Sequence, residues 1–187
     1  MDKKPALLYS TKLKKSYGTT NNTIKKLNFG CGNDIREGWD NCDIQPEAPI
    51  SFDFNVYPYA KLKDNFYDYI LIYTVLENID YPEKALYELR NKCRNNAIID
   101  ITAPYWNNKG VWNDLKSRRG FNEECFKLLA NRSNNYYINQ KRDFVIENIE
   151  LIPTNVGRCV PKFLREKLST FISGMIMHIH VKLKVIT

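Results

Sequence analysis

Residues 25–32 read Lys-Lys-Leu-Asn-Phe-Gly-Cys-Gly: a short apolar strand running into a Gly-x-Gly turn. Asp43 follows at the end of a second strand-like run, Asn41-Cys42-Asp43-Ile44. A strand, a glycine turn and a downstream carboxylate can hold a nucleoside. The glycines let backbone approach the ligand, and the carboxylate accepts hydrogen bonds from ribose hydroxyls. Alone, the same residues also describe an ordinary tight turn followed by a capping aspartate, so the elements around them decide between the two.

Those elements alternate. Strand-like runs occur at 25–29, 41–44, 50–53, 68–73, 97–102, 144–152 and 178–186. Between several of them lie segments with helical spacing. One opens at Pro82-Glu83 with proline in its first turn and carries Ala85, Leu86 and Leu89 on one face. A second spans about 122–131. A third is expected over about 161–176, with Phe163, Leu164, Leu168, Phe171, Ile172, Met175 and Ile176, basic at its start and read chiefly as a core or capping helix, with a dimer contact or an interfacial helix touching a lipid-linked acceptor as the alternatives. Strands alternating with helices predict an α/β layered sheet. Residues 178–186 alternate polar and apolar with period two, which fits an edge or antiparallel strand and gives both histidines, His178 and His180, a structural role.

The 187 residues suffice for one domain with a sizeable core, and 43% hydrophobic with 26% charged residues is an ordinary globular balance. No apolar run approaches the roughly 20 residues a membrane-spanning helix needs, and the N-terminus has no signal-like stretch; a cytoplasmic setting is expected. The five cysteines are scattered, without metal-ligand spacing, so neither a disulfide framework nor a metal site is expected. The net charge is +7, with lysines concentrated in residues 1–23 and a second basic group at Lys162, Arg165 and Lys167. Such groups suit phosphate-rich partners or simply a solvated face.

Taken in order, Asn28-Phe29-Gly30-Cys31-Gly32, Asp43, Asp53-Phe54-Asn55, Phe66-Tyr67-Asp68, Tyr73-Thr74-Val75-Leu76-Glu77-Asn78 and Ala103-Pro104-Tyr105 resemble the class I S-adenosylmethionine-dependent methyltransferases, in particular the methyltransferase type 11 group. The resemblance covers about residues 25–130 by motif and continues loosely to the end. It implies a Rossmann-like three-layer α/β sandwich with a mostly parallel seven-stranded sheet and a C-terminal antiparallel strand pair. Residues 1–23, polar and basic, are read from composition as an extension or a first helix outside the main fold, and the resemblance makes 24–187 the methyltransferase domain. The implied cofactor is S-adenosyl-L-methionine. Asn28, Gly30, Cys31 and Gly32 would line its methionine and ribose portion, with glycine needed to avoid a Cβ collision. Asp43 and Ile44 would meet the ribose and its neighbourhood. Asp53 and Phe54 would take the adenine, and Thr74, Val75 and Leu76 would complete the pocket. Three positions depart from the family pattern. Asn28 stands where aspartate is common, Asn78 where histidine often follows Leu-Glu, and the link between the first two strands is too short for a full helix.

The acceptor side is expected in the loop after the fifth strand, because ligands of open parallel sheets bind beyond the strands' carboxyl ends. Tyr105 and Asp114 are the candidate catalytic residues. Trp106 and Trp112 would shape the pocket or face a cationic centre, and Arg118 and Arg119 would hold an acceptor carboxylate or phosphate. Each also has a purely structural reading, as core anchor or solvated side chain. The expected activity is methyl transfer to an O or N of a small-molecule or glycan-like acceptor by a monomer or homodimer. Two alternatives remain: an RNA methyltransferase whose basic N-terminus tracks phosphates, and a non-catalytic S-adenosylmethionine-binding regulatory protein.

Overall fold

The computed structural model describes residues 23–131 and 143–186. The basic extension expected over residues 1–23 thus falls, except for Thr23, outside the described residues. Seven strands form one sheet: β1 (Lys26–Phe29), β2 (Asp40–Asp43), β3 (Ile50–Ser51), β4 (Tyr67–Tyr73), β5 (Cys93–Pro104), β6 (Phe144–Pro153) and β7 (Ile176–Val185). Their spatial order is β3-β2-β1-β4-β5-β7-β6. Strands β1 to β5 pair in parallel, and β7 runs antiparallel to both β5 and β6. The expected α/β sheet with an antiparallel C-terminal pair is present. Among the described residues, no helix is long and apolar enough to cross a membrane.

Period-two alternation sorts the side chains between the two faces of the sheet. Ile70, Ile72, Ile99, Ile101, Val181 and Leu183 share one wholly buried face. Helix α1 (Pro82–Lys92) contributes Ala85, Leu86 and Leu89 to the same core, and α2 (Glu123–Asn131) contributes Phe126 and Leu129. Both helices lie where proline and apolar spacing predict them. No helix forms between β3 and β4. An aromatic cluster fills that space, with Phe54 stacked on Phe29 at 4.0 Å between ring centroids and Tyr59 beside both Phe29 and Phe52.

The opposite face carries polar groups that satisfy one another. Tyr69 Oη donates to Asp100 Oδ2 (2.5 Å), His180 Nε2 lies 2.6 Å from Asp100 Oδ1, and Lys182 Nζ is 3.7 Å from Asp100 Oδ2. Burial works against the Asp100 charge, but the bonds from His180 and Tyr69 outweigh it and hold the carboxyl below its ordinary value. His180 thus has the structural setting expected of it, and His178, with its pKa lowered by burial, packs near the Tyr73 ring.

The link between β1 and β2 contains no helix, as its length predicts. Side-chain amides hold it instead. Asn41 Oδ1 accepts from Arg36 N (2.9 Å) and from Asn28 Nδ2 (3.2 Å), and Asn41 Nδ2 donates to the carbonyls of Arg36 and Trp39 (both 2.9 Å). Asn28 Nδ2 also donates to the Asp34 carbonyl (2.7 Å).

One expected helix is different. In place of a single helix over 161–176, a short α3 (Asn155–Arg158) and α4 (Lys162–Leu168) are followed by a turn, and β7 starts at Ile176. The turn contains Ser173-Gly174, and Gly174 has φ 84°, which cannot continue a right-handed helix. Nor is this a core helix, since α4 buries no side chain.

Asn41→Ala removes the amide that closes the helix-free link and leaves the part-buried Arg36 N–H and the buried Asn28 Nδ2 short of a partner. The expected loss is about 2–3 kcal/mol of unfolding free energy, read from urea denaturation of variant and parent with unchanged m-value.

Candidate functional site

The carboxyl ends of β1 to β5 face one edge of the sheet, and the chain's direction across the sheet reverses between β1 and β4. Such a reversal opens a crevice between the loops that leave the two strands. The Gly-x-Gly turn leaves β1 at this point, and residues 74–78 leave β4 beside it.

The turn is rigidly based. Gly30 N and Cys31 N both donate to the Cys42 carbonyl of β2 (2.8 and 2.9 Å). Gly30 has φ 75°, and a Cβ there would come within 2.2 Å of Val75 Cγ2. The glycine is therefore required by the neighbouring β4 loop, in addition to any ligand. A Cβ on Gly32 would meet nothing within 4 Å, so the outer side of the turn is open. Asp43 is 8% exposed; its Oδ2 accepts from Gly32 N (2.7 Å) and its Oδ1 from Gln45 N (3.1 Å). Each oxygen keeps further lone-pair capacity for a ligand. Ile44, next to Asp43, is exposed and offers an apolar wall. Across the crevice Thr74 has φ 51° while its N–H donates to the Thr102 carbonyl (2.8 Å). A β-branched residue in the left-handed region is strained, on the order of 1–3 kcal/mol, and such strain collects at functional turns.

An open turn at the reversal point, edged by a nearly buried carboxylate and an exposed isoleucine, fits a nucleoside with free ribose hydroxyls. S-adenosylmethionine has that chemistry. The other expected cofactor residues are placed less directly. Cys31 is buried beneath the turn, and Asn28 spends both amide hydrogens on the β1–β2 link. Asp53 is exposed and accepts from Asn55 N (2.8 Å), whereas Phe54 is packed into the core against Phe29. Val75 and Leu76 are buried beside Gly30 and in the core.

The acceptor loop is closed at its base. Trp106 N donates to the Phe121 carbonyl (2.9 Å) and Phe121 N to the Pro104 carbonyl (2.9 Å). Its far end is pinned to the segment after β4. Arg118 N donates to the Glu77 carbonyl (2.9 Å), the Arg118 guanidinium pairs with Asp80 (2.8 Å), and Arg119 Nη2 donates to the Asp80 carbonyl (3.0 Å). Both arginines thus anchor the loop, leaving only their remaining donors for an acceptor. Tyr105 is 5% exposed at the buried base, Trp106 is half-exposed beside it, and Trp112 and Asp114 stand on the exposed tip. Asp114 Oδ1 accepts from Lys116 N (2.9 Å). Among the described residues no hydrogen bond joins Tyr105 to Asp114.

Glu77 has no role in the site expected from the sequence. It lies in the 3-10 turn Leu76–Asn78, 6% exposed, and its Oε2 makes no hydrogen bond. Burial pushes its carboxyl up to about 7, partly opposed by a bond from its own backbone N–H. The available signal was a lone acid inside the apolar run Val75-Leu76-Glu77-Asn78-Ile79. Among the described residues no group of acids, cysteines and histidines is arranged to hold a metal.

No family model matches the sequence, and no curated protein matches it significantly. Solved structures do. A SAM-dependent methyltransferase from Archaeoglobus fulgidus superposes with a TM-score of 0.58 at 16% identity over 86% of each chain. An S-adenosylmethionine-dependent methyltransferase from Mesorhizobium loti gives 0.56 at 12% identity, over 86% of this chain and 90% of that one. The [4+2]-cyclase SpnF gives 0.57 at 12% identity, over 88% and 76%. The protein has the class I S-adenosylmethionine-dependent methyltransferase fold, which these relatives share.

A carboxyl raised from about 4.5 to about 7 keeps its proton in the folded state where the unfolded chain has lost it. Its contribution to stability is full below about pH 4.5 and declines as pH rises through about 7. Glu77→Gln removes this dependence and is expected to be more stable than the parent above pH 7 by about 1–3 kcal/mol. Denaturant titrations on both sides of that window check it; equal pH slopes for variant and parent would contradict it.

Proposed function

We propose that this protein is an S-adenosylmethionine-dependent methyltransferase that acts on an O or N of a small-molecule or glycan-like acceptor. The observation that carries the reading is the Asp43 carboxylate, nearly buried, bonded to Gly32 N and set at the rim of an open glycine turn where the strand order reverses. When bound, S-adenosylmethionine supplies a methyl group on a sulfonium, which a nucleophile displaces in line.

The chain's own residues then have defined tasks. Asp43 binds the ribose hydroxyls, a pairing suited to a carboxylate. The Gly30–Gly32 turn brings backbone close to the ligand, and Val75 locks that turn against the β4 loop. The 105–121 loop, fastened at its base and through Arg118 and Arg119 to the segment after β4, shields the reacting atoms from water. Transfer from a sulfonium disperses charge, so positioning and desolvation supply much of the acceleration. A base is needed only for an acceptor that must lose a proton early. For that task Glu77 is better suited than Asp114, because its pKa lies near neutrality and one of its oxygens makes no hydrogen bond. Tyr105 and Trp106 border the acceptor space from the base of the loop.

Calorimetric titration with S-adenosylhomocysteine tests the cofactor reading. Binding by the parent is expected, and Asp43→Ala is expected to weaken it by about 1.5–3 kcal/mol, or about 10–150-fold. A folded parent that releases no heat and shows no thermal shift would end the proposal. Labelled methyl transfer into fractionated extract tests the reaction itself. Glu77→Gln is expected to lower turnover about 10²–10⁴-fold with S-adenosylhomocysteine affinity unchanged, as for loss of a general base. A fall in Asp114→Asn with Glu77→Gln unaffected would move the proton acceptor to the loop tip.

A further inference from the structure

Residues 154–175, between β6 and β7, form a tied insertion whose apolar side chains point outward. Thr154 Oγ1 accepts from Gly157 N (2.9 Å) and donates to the Gly174 carbonyl (2.5 Å), closing the insertion at its neck. A Cβ on Gly157 would fall 1.9 Å from the Met175 carbonyl oxygen, so the two ends pack with only glycine between them. Arg165 Nη1 donates to the Gly157 carbonyl (3.1 Å), and Asn107 of the acceptor loop donates to the Ser169 carbonyl (2.8 Å). Yet Phe171 is 86% exposed, Phe163 69% and Val156 66%, with Leu164 and Ile172 also exposed. A segment so well fastened has no need to leave these residues in water unless something covers them.

We propose that this insertion is a docking surface for an anionic lipid bilayer. Its apolar residues alternate with exposed Arg158, Lys162 and Lys167, against one acid within the segment, Glu166. Interfacial segments bind in this way: apolar side chains enter the acyl boundary while long basic ones reach back to the headgroups. Each basic residue near an anionic leaflet adds to the attraction, and salt screens that contribution. Protein interfaces differ, because lysine is depleted from their apolar cores. A second copy of this chain on a two-fold axis would oppose the same basic residues to each other, which like-charge repulsion disfavours. The acceptor loop, joined to the insertion through Asn107, adds exposed Trp112 and Leu115 with Lys109 and Lys116. Both segments leave the sheet at one edge, since β7 pairs His178 with Pro104 of β5 and with Ile152 of β6. A docked molecule therefore presents its crevice to the membrane plane. The docking surface itself does not depend on the methyltransferase reading.

Flotation of the full chain with vesicles tests this. Binding is expected to phosphatidylcholine vesicles containing phosphatidylglycerol, little to pure phosphatidylcholine, and less as salt is raised. Phe163→Ser/Phe171→Ser is expected to lower binding to the anionic vesicles about tenfold or more with an unchanged melting temperature. Lys162→Glu/Lys167→Glu is expected to weaken binding and flatten its salt dependence. A parent that stays unbound with the anionic vesicles overturns the proposal. So does binding that survives the serine variant, which would belong to the lysine-rich N-terminus, and so does a parental dimer that the serine variant converts to monomer. S-adenosylhomocysteine titration of the serine variant keeps the two questions apart, since cofactor binding is expected to be unaffected whichever way the vesicle result falls.

Discussion

A helix after the first strand of a parallel sheet satisfies its own backbone; the ten residues 30–39 of this chain form no helix and must find partners elsewhere. The partner is chiefly the side chain of Asn41, buried at 4% exposure, which engages Arg36 on both sides of its peptide, the Trp39 carbonyl and Asn28. Everything that marks the candidate site hangs from this amide network. It fixes where the link leaves and re-enters the sheet, and so where the Gly-x-Gly turn meets the end of β2. Gly30 N and Cys31 N can then share the Cys42 carbonyl, and Asp43 can reach Gly32 N. The neutral Asn28 acquires a reason here: its amide hydrogens serve the link, a task for which an aspartate has no donors.

Much of this was legible in the sequence because the signals are local. Period two in β7, proline at the start of α1, and glycines ahead of a carboxylate each act over a few residues. Less legible were features set by contacts distant in sequence. The need for glycine at position 30 comes largely from Val75, on another strand's loop. Phe54, expected at an adenine ring, stacks on Phe29 because no helix fills the space beside β1. The 161–176 segment has enough apolar residues for a helix, but Ser173-Gly174 turns the chain. Apolar spacing also cannot distinguish a residue facing a core from one facing outward at Phe163 or Phe171.

Arg118 and Arg119 have structural partners that residue type alone does not reveal. Two adjacent arginines in a loop over a binding edge suggest anion capture, yet both bond to Asp80. With Arg118 N on the Glu77 carbonyl, they bind the acceptor loop to the segment after β4. Movement of one loop is therefore felt at the other. The left-handed Thr74 sits at the start of that shared segment, where a strained residue needs support from its surroundings. The Thr102 carbonyl supplies part of it.

This coupling bears on the chemistry. Glu77 is tied through its carbonyl to Arg118 N and is buried from water, and among the described residues its Oε2 has no hydrogen-bond partner. A carboxyl so placed resists ionisation until a hydrogen-bond donor reaches it. The chain has no histidine after Leu76-Glu77, and its two histidines lie on β7, His180 being tied to Asp100. Among the described residues Glu77 is the carboxyl whose pKa burial raises to about 7. The bond from Arg118 N to its carbonyl ties that buried acid to the 105–121 loop, so the packing that orders the loop and the packing that raises the acid are continuous.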